Sequence, residues 1–97
     1  MARNDAANGK QRAKMLVLYV AGNTASSQKA RANLQAIVGE LEESCKVSVI
    51  DVLKAPHLAL QEGIFATPSL TAGEGKSKLL IIGDLSDRHS VLSTLRG

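Results

Sequence analysis

A chain of 97 residues is long enough for one compact domain with a single hydrophobic core, and it is too short for two. Hydrophobic residues make up 44% of the chain and charged residues 22%, and no apolar run approaches the roughly 20 residues of a membrane helix. The single cysteine excludes an internal disulfide, and the first residues lack the apolar centre of a secretion signal. We therefore expect a cytoplasmic protein without a membrane partner.

The basic character of the chain is confined to its first fourteen residues. They contain four basic residues and one acid, and so they carry the whole formal net charge of +3. The remainder is neutral overall, and its aromatic residues are too few to form the stacking platforms that bind single-stranded nucleic acid. We expect a disordered basic tail at 1–14, a folded domain at 15–97, and no nucleic acid partner.

The first half of the chain predicts a strand, a helix and a second strand. The near-continuous apolar run MLVLYVA, which begins at Met15, is typical of a strand buried on both faces of a sheet. Capping residues follow, and apolar residues then recur at helical spacing, which predicts a helix over roughly 27–43. The β-branched run 47–53 predicts a second strand, parallel to the first in a βαβ unit.

The second half predicts a short helix, a hairpin and a last helix. Pro56 suits the first turn of a helix over 57–62, and GIFATPSL then leads into a third strand. The turn GEGK at 73–76 predicts that the run 79–82 returns as an antiparallel strand. Ser86 is the expected N-cap of the last helix, whose apolar face holds Val91, Leu92 and Leu95.

The predicted order is βαβαββα, which is the order of a thioredoxin-like α/β domain with a mixed four-stranded sheet. A proline that precedes the third strand of that fold is usually cis, and Pro68 occupies this place. We therefore expect a cis Thr67–Pro68 bond, although cis bonds are a small minority of X-Pro bonds in folded proteins. The alternative is a trans proline that opens an edge strand.

The chemistry expected of a redox enzyme with this fold is missing from the sequence. Such an enzyme needs two close thiols at the start of the first helix, where this chain has AGNTASS at 21–27. Cys45 is expected near the end of that helix as a structural thiol. His57 and His89 each lack a second ligand at metal spacing. We predict no enzyme activity, no metal and no cofactor.

Four stretches of the sequence resemble the KaiB family of circadian clock proteins. They are LYVAGNT (18–24), VIDVLK (49–54), ATPSL (66–70) and IIGDLSDR (81–88). The resemblance implies a non-enzymatic protein that docks on the ring-shaped ATPase KaiC and captures KaiA on an edge strand. It also implies two folds, a tetrameric βαββααβ ground state and a thioredoxin-like state that binds KaiC. The alternative is a thioredoxin-like adaptor or sensor domain that acts outside timekeeping.

The resemblance also points to residues that would bind the partner. The VIDVLK and ATPSL stretches place the KaiC-binding face on Lys54, His57 and Gln61, beside the Pro68 turn. Ser48 stands on the second strand where typical members have a lysine, which weakens the expectation of KaiA or a clock histidine kinase as a partner.

Other departures from the family pattern lie in the second half of the chain. Gly63 replaces a lysine, the GEGK turn replaces a Pro-rich segment, and Leu79 and Leu80 replace a pair of arginines. These changes indicate that the contacts with a partner differ from those of typical members.

Two substitutions in the last helix bear on the choice between the two folds. Thr94 stands where typical members have glycine, and Arg96 stands where they have aspartate. Both changes favour a helix there, together by roughly 1 to 2 kcal/mol. We therefore predict that the thioredoxin-like state is the resting state and that the chain is largely monomeric, with a homotetramer as the alternative.

Overall fold

The computed structural model describes residues 13–97. Its strands are β1 (Lys14–Val20), β2 (Cys45–Asp51), β3 (Ser69–Ala72) and β4 (Leu79–Ile82). Its helices are α1 (Ala25–Glu40), α2 (Pro56–Gln61) and α3 (Arg88–Arg96), with a short 3₁₀ turn at Gly75–Ser77. The observed order confirms the predicted βαβαββα arrangement.

The predicted tail lies almost entirely outside the described residues. Its last residue, Lys14, was assigned wrongly, because Lys14 is the first residue of β1. The Lys14 N–H donates to the carbonyl of Ser44 at 2.8 Å, and its ammonium lies 3.5 Å from the Glu43 carboxylate. The domain therefore begins one residue earlier than the apolar pattern indicated.

The four strands form one mixed sheet in the order β2-β1-β3-β4. β1 runs parallel to β2 and antiparallel to β3, and β3 runs antiparallel to β4. Leu18 lies opposite both Val49 and Leu70, and Leu70 lies opposite Ile81. Because β1 has a neighbour on each side and helices over both faces, its sequence is apolar almost throughout.

The two faces of the sheet carry very different cores. α1 and α3 cover one face with a cluster of thirteen buried residues, among them Leu16, Leu18 and Ile37. α2 covers the other face, where only Tyr19, Ala59 and Ile64 form a buried cluster. The predicted apolar face of α3 is confirmed, since Val91, Leu92 and Leu95 all belong to the larger core.

The observed helix ends correct two predictions. α1 begins after Thr24, whose side chain accepts the N–H of Ser27 at 3.3 Å, and it ends at Glu40 because Leu41 is extended. Ser86 does not cap α3. Asp87 does so, by accepting the N–H of Ser90 at 3.3 Å. The Ser86 N–H instead donates to the Asp84 carboxylate at 3.0 Å in the preceding turn.

The turn between β4 and α3 contains an unusual buried residue, Leu85. Its φ of 65° lies in the left-handed region, which costs a non-glycine residue about 1 to 2 kcal/mol. The side chain is buried in the larger core, and Asn33 of α1 donates to the neighbouring Asp84 carbonyl at 2.9 Å. Burial of Leu85 in the core and the hydrogen bond from α1 to Asp84 therefore hold this turn in its strained conformation.

Within residues 13–97, no helix has the length and apolar character needed to cross a bilayer.

Candidate functional site

The loop between β1 and α1 occupies the place where thioredoxin-type enzymes carry their thiols. Here the Ser27 hydroxyl, which is fully buried, accepts the Ala21 N–H at 3.0 Å. The Thr24 hydroxyl lies 2.8 Å from the same oxygen. Residues 21–27 contain no cysteine, so hydroxyl and backbone groups close this loop and leave no nucleophile of the thioredoxin kind.

A single carboxylate joins this loop to the loop that follows β2. One oxygen of Asp51 accepts the N–H groups of Leu53 and Gly22, each at 3.0 Å. These two backbone hydrogen bonds, that from Leu53 first, hold the pKa of Asp51 below its ordinary value. Gly22 has a φ of 58°, and a Cβ added there would lie 3.3 Å from Cδ1 of Leu53. Glycine at this position therefore avoids both the strain of a left-handed φ and a close contact with the Leu53 side chain.

The turn before β3 has the conformation that the sequence predicted. The Thr67–Pro68 peptide bond is cis, and Pro68 is buried. The carbonyl of Pro68 accepts the N–H of Gly83 at 2.9 Å, and the Ser69 hydroxyl donates to the carbonyl of Ala66. The turn is thus attached to the end of β4 as well as to its own chain.

Three large apolar side chains near α2 are exposed to solvent, and the sequence reasoning did not single them out. Leu53 is 71% exposed, Leu60 is 69% exposed and Phe65 is 88% exposed. Leu60 and Phe65 line a shallow depression of about 330 Å³ that extends from Pro56 to Thr67. The shortness of α2 could have indicated this exposure from the sequence. A six-residue helix that turns Ala59 toward the sheet cannot also bury the next residue, Leu60.

The predicted partner-binding residues lie on the same stretch of chain. Lys54 is exposed in the turn after β2, and His57 and Gln61 are exposed one helical turn apart on α2. We call the exposed side chains of this stretch the α2 surface, which comprises Leu53, Lys54, His57, Leu60, Gln61 and Phe65. Three of its six members are apolar, so it is less polar than the face that the sequence suggested.

The other predicted residues lie away from the α2 surface. Ser48 is exposed on the edge strand β2, opposite Val17. Thr94 is exposed on α3, and Arg96 ends that helix. The Arg96 guanidinium donates to the carbonyl of Glu40 at 3.3 Å, so it reaches the last residue of α1 as well as the end of its own helix.

Cys45 follows the end of α1 by five residues and is the first residue of β2. It lies opposite Lys14, at the end of the sheet remote from the start of α1. Burial, and then the nearby Glu43 carboxylate, raise the pKa of its thiol above the ordinary value, which lowers its thiolate fraction. Across residues 13–97, no cluster of three or more potential metal ligands occurs.

Comparison with solved structures defines the class of fold. The N-terminal domain of SasA from Synechococcus elongatus has a TM-score of 0.71 and 23% identity, covering 87% of this chain and 80% of that one. Mitochondrial thioredoxin 3 from Saccharomyces cerevisiae has a TM-score of 0.69 and 18% identity, covering 89% and 82%. At these identities the likeness shows the fold alone, and that fold is thioredoxin-like.

Sequence comparison defines the family. Residues 17–97 match the KaiB domain. The circadian clock oscillator protein KaiB of Nostoc punctiforme (strain ATCC 29133 / PCC 73102) is 48% identical over 79 residues, which are 80% of this chain and 76% of that protein. KaiB of Prochlorococcus marinus (strain MIT 9211) is 47% identical over 79 residues, 80% of this chain and 69% of that protein. The chain belongs to the KaiB family of circadian clock proteins, which confirms the resemblance.

Proposed function

We propose that this protein acts without catalysis, by docking on a KaiC-type ATPase ring through the α2 surface. The observation that carries the proposal is the exposure of Leu53, Leu60 and Phe65 on the stretch that joins the VIDVLK and ATPSL motifs. Family membership supports the class of partner, and the cytoplasm is the compartment in which we expect the two proteins to meet.

The exposed apolar side chains suit an interface better than they suit an isolated domain. A phenylalanine that is 88% exposed contributes almost nothing to the core, and burial in a partner would remove its apolar area from water. A few well-buried residues near the centre of an interface commonly supply most of the binding free energy, and aromatic residues, phenylalanine included, are enriched there. We therefore assign the role of anchor to Phe65, with Leu60 beside it in the same depression.

The polar members of the α2 surface favour a neutral or acidic counterpart on the ring. Lys54 is its formal cation, and the adjacent Glu62 carboxylate is already paired with the Lys78 ammonium. With one cation at the rim, we expect association to weaken only modestly as salt is raised.

The test is a binding measurement with the KaiC-type ATPase encoded in the same genome. We expect Phe65→Ala to weaken binding about 30-fold or more, as for a hot-spot residue worth at least 2 kcal/mol. The triple variant Lys54→Ala, His57→Ala, Gln61→Ala should weaken it further than any one of its substitutions does. Val49→Ala, which also shortens an exposed apolar side chain but on the edge strand β2, is the matched control and should bind normally.

Two outcomes would contradict different parts of the proposal. If the wild-type protein binds the ring but neither the Phe65 variant nor the triple variant weakens it, the α2 surface is wrong. If the wild-type protein does not bind the ring at all, the partner is wrong, and an adaptor outside timekeeping becomes the better hypothesis. An insulin-reduction assay tests the absence of catalysis, and measurable turnover there would contradict it.

A further inference from the structure

The outer edge of β4 is unprotected. Within the described chain, β4 pairs with β3 alone, in a continuous register from Leu79 to Ile82. The strand LLII contains no charge and no proline, the usual devices that keep an edge strand from pairing with another chain. Leu80 is 49% exposed and Ile82 is 65% exposed. The other edge, β2, differs because it carries the exposed charge of Lys46.

The pairing with β3 fixes which backbone groups of β4 face outward. Gly83 donates its N–H to the carbonyl of Pro68, so the pairs at Ile81 and Leu79 are also the hydrogen-bonded ones in this antiparallel ladder. The N–H and C=O groups of Leu80 and Ile82 therefore point away from the sheet. They form a row of donors and acceptors that a further strand can match.

We propose that β4 pairs antiparallel with β4 of a second copy of this chain, about a two-fold axis at Ile81. The two four-stranded sheets would then form one continuous sheet of eight strands. An interface of this kind uses the same surface on both copies, so the short strand must be complementary to itself.

The outward row limits the possible registers. Hydrogen-bonded pairs across the axis must join Leu80 or Ile82 of one copy to Leu80 or Ile82 of the other, because only these residues present their groups outward. Pairing Leu80 with Ile82 in both directions uses both residues of each copy. That register places Ile81 directly opposite its counterpart, in a non-hydrogen-bonded pair.

Charges at the two ends of β4 favour this register and direction. The chain enters the strand with Glu74, Lys76 and Lys78, and it leaves with Asp84, Asp87 and Arg88. Because Glu62 pairs with Lys78, the entry is neutral overall, whereas the exit is negative by one charge. Antiparallel pairing brings the entry of each copy beside the exit of the other, with Lys78 opposite Asp84. A parallel arrangement would place like charges together, which is unfavourable.

With this junction the protein is expected in a monomer–dimer equilibrium, and not in the largely monomeric state that the sequence suggested. The junction is small, so the association is weak and concentration-dependent. The dimer uses β4 and not the α2 surface, so a result that contradicts docking on an ATPase ring does not contradict the dimer.

Sedimentation equilibrium measures the association directly. From about 10 µM to about 1 mM, a range that suits a small interface, we expect the wild-type mass to rise from monomer toward dimer. Ile82→Lys places a charge on each exposed edge and should leave the protein monomeric throughout. Val49→Lys places the same charge on the β2 edge as the matched control and should dimerise like the wild type. The melting temperatures of both variants show whether each remains folded.

Cysteine cross-linking tests the register. The variant Ile81→Cys is made in a Cys45→Ser background, so that it carries one thiol per copy. In the proposed dimer the Cα atoms of the two residues at position 81 lie about 4.5 Å apart, within the range of a disulfide. Diamide should therefore oxidise this variant to a covalent dimer, with reduction of the diamide. Ile82→Cys is the control. Although position 82 is more exposed, it faces position 80 of the other copy, so cross-linking should be several-fold slower.

Three results would overturn the proposal. The wild-type protein could stay monomeric up to the highest concentration, as it would if the edge served a different partner. A dimer could survive Ile82→Lys and be lost in Val49→Lys, which would place the junction on β2. Ile82→Cys could cross-link as fast as Ile81→Cys, which would exclude the axis at Ile81.

Discussion

The two faces of the sheet differ in how much they bury and in what they leave exposed. The face under α1 and α3 buries thirteen residues in one cluster, whereas the face under α2 buries three. Leu60 on α2 and Phe65 just after it remain largely in solvent. The first face therefore supplies most of the hydrophobic stabilisation, and the second leaves apolar surface available for a partner.

The largest expected effect comes from shortening a residue on the first face. Leu16→Ala should lower the free energy of unfolding by about 2 to 5 kcal/mol, because the side chain is fully buried in the larger cluster. Phe65→Ala on the second face removes more atoms but should change stability by less than about 0.5 kcal/mol. Urea denaturation of both variants measures the contrast, and equal losses would refute it.

An intermediate effect is expected at the contact between α3 and α1. Arg96→Asp removes the hydrogen bond to the Glu40 carbonyl and puts an anion at the C-terminal end of α3, at a cost of roughly 1 to 2 kcal/mol. If the chain also adopts the second fold that the resemblance implies, and the two are nearly balanced, that fold would gain about 5- to 30-fold in relative population. NMR secondary shifts over 91–95 report this change, and Arg96→Lys is the control that keeps the charge.

A smaller effect is expected at the ion pair on the second face, between Lys78 and Glu62. Both side chains are substantially exposed, so solvent screens the attraction and Lys78→Ala should cost less than about 1 kcal/mol. Denaturation at low and high salt measures it. If Lys78→Ala lowers the free energy of unfolding as much as Arg96→Asp does, the polar contacts on the two faces contribute equally to stability, contrary to this prediction.

The smallest effect concerns Tyr19 on the second face, and it shows only as a change in stability at alkaline pH. Burial, and then Glu62, raise the pKa of its hydroxyl above the ordinary value of 10.0. The unfolded chain therefore ionises first as pH rises, so this contribution to stability is complete below pH 10.0 and is lost as pH rises through the folded-state pKa. Tyr19→Phe should flatten the fall in stability between neutral and strongly alkaline pH, and an unchanged slope would contradict the assignment.

The order of elements could be predicted because hydrophobic period and turn residues act locally. The run after Met15, the helical repeat before Leu41 and the cis turn at Pro68 all matched the structure. The ends of the helices could not be predicted as well, because competing caps such as Ser86 and Asp87 differ only in local geometry. The left-handed conformation of Leu85 could not be predicted either, since its strain is offset by burial in the larger core.

The sequence predicts where the candidate site lies, but it did not indicate how apolar that surface is. The family motifs place the predicted partner-binding residues Lys54, His57 and Gln61 on the stretch of chain that also carries the exposed apolar side chains. The exposure of Leu53, Leu60 and Phe65 depends on how little of the sheet a six-residue helix covers, which is a tertiary property. Whether these residues bind a partner stays a prediction.

The Asp51 carboxylate has a consequence for the thermodynamics of docking. Because one oxygen holds the backbone of both Gly22 and Leu53, two loops that are distant in sequence move together. A partner that buries Leu53 therefore meets a backbone that these hydrogen bonds already restrain, so less backbone entropy is lost on association. The lowered pKa keeps this carboxylate ionised to a lower pH than an ordinary aspartate, so the two hydrogen bonds that join the loops persist at neutral pH.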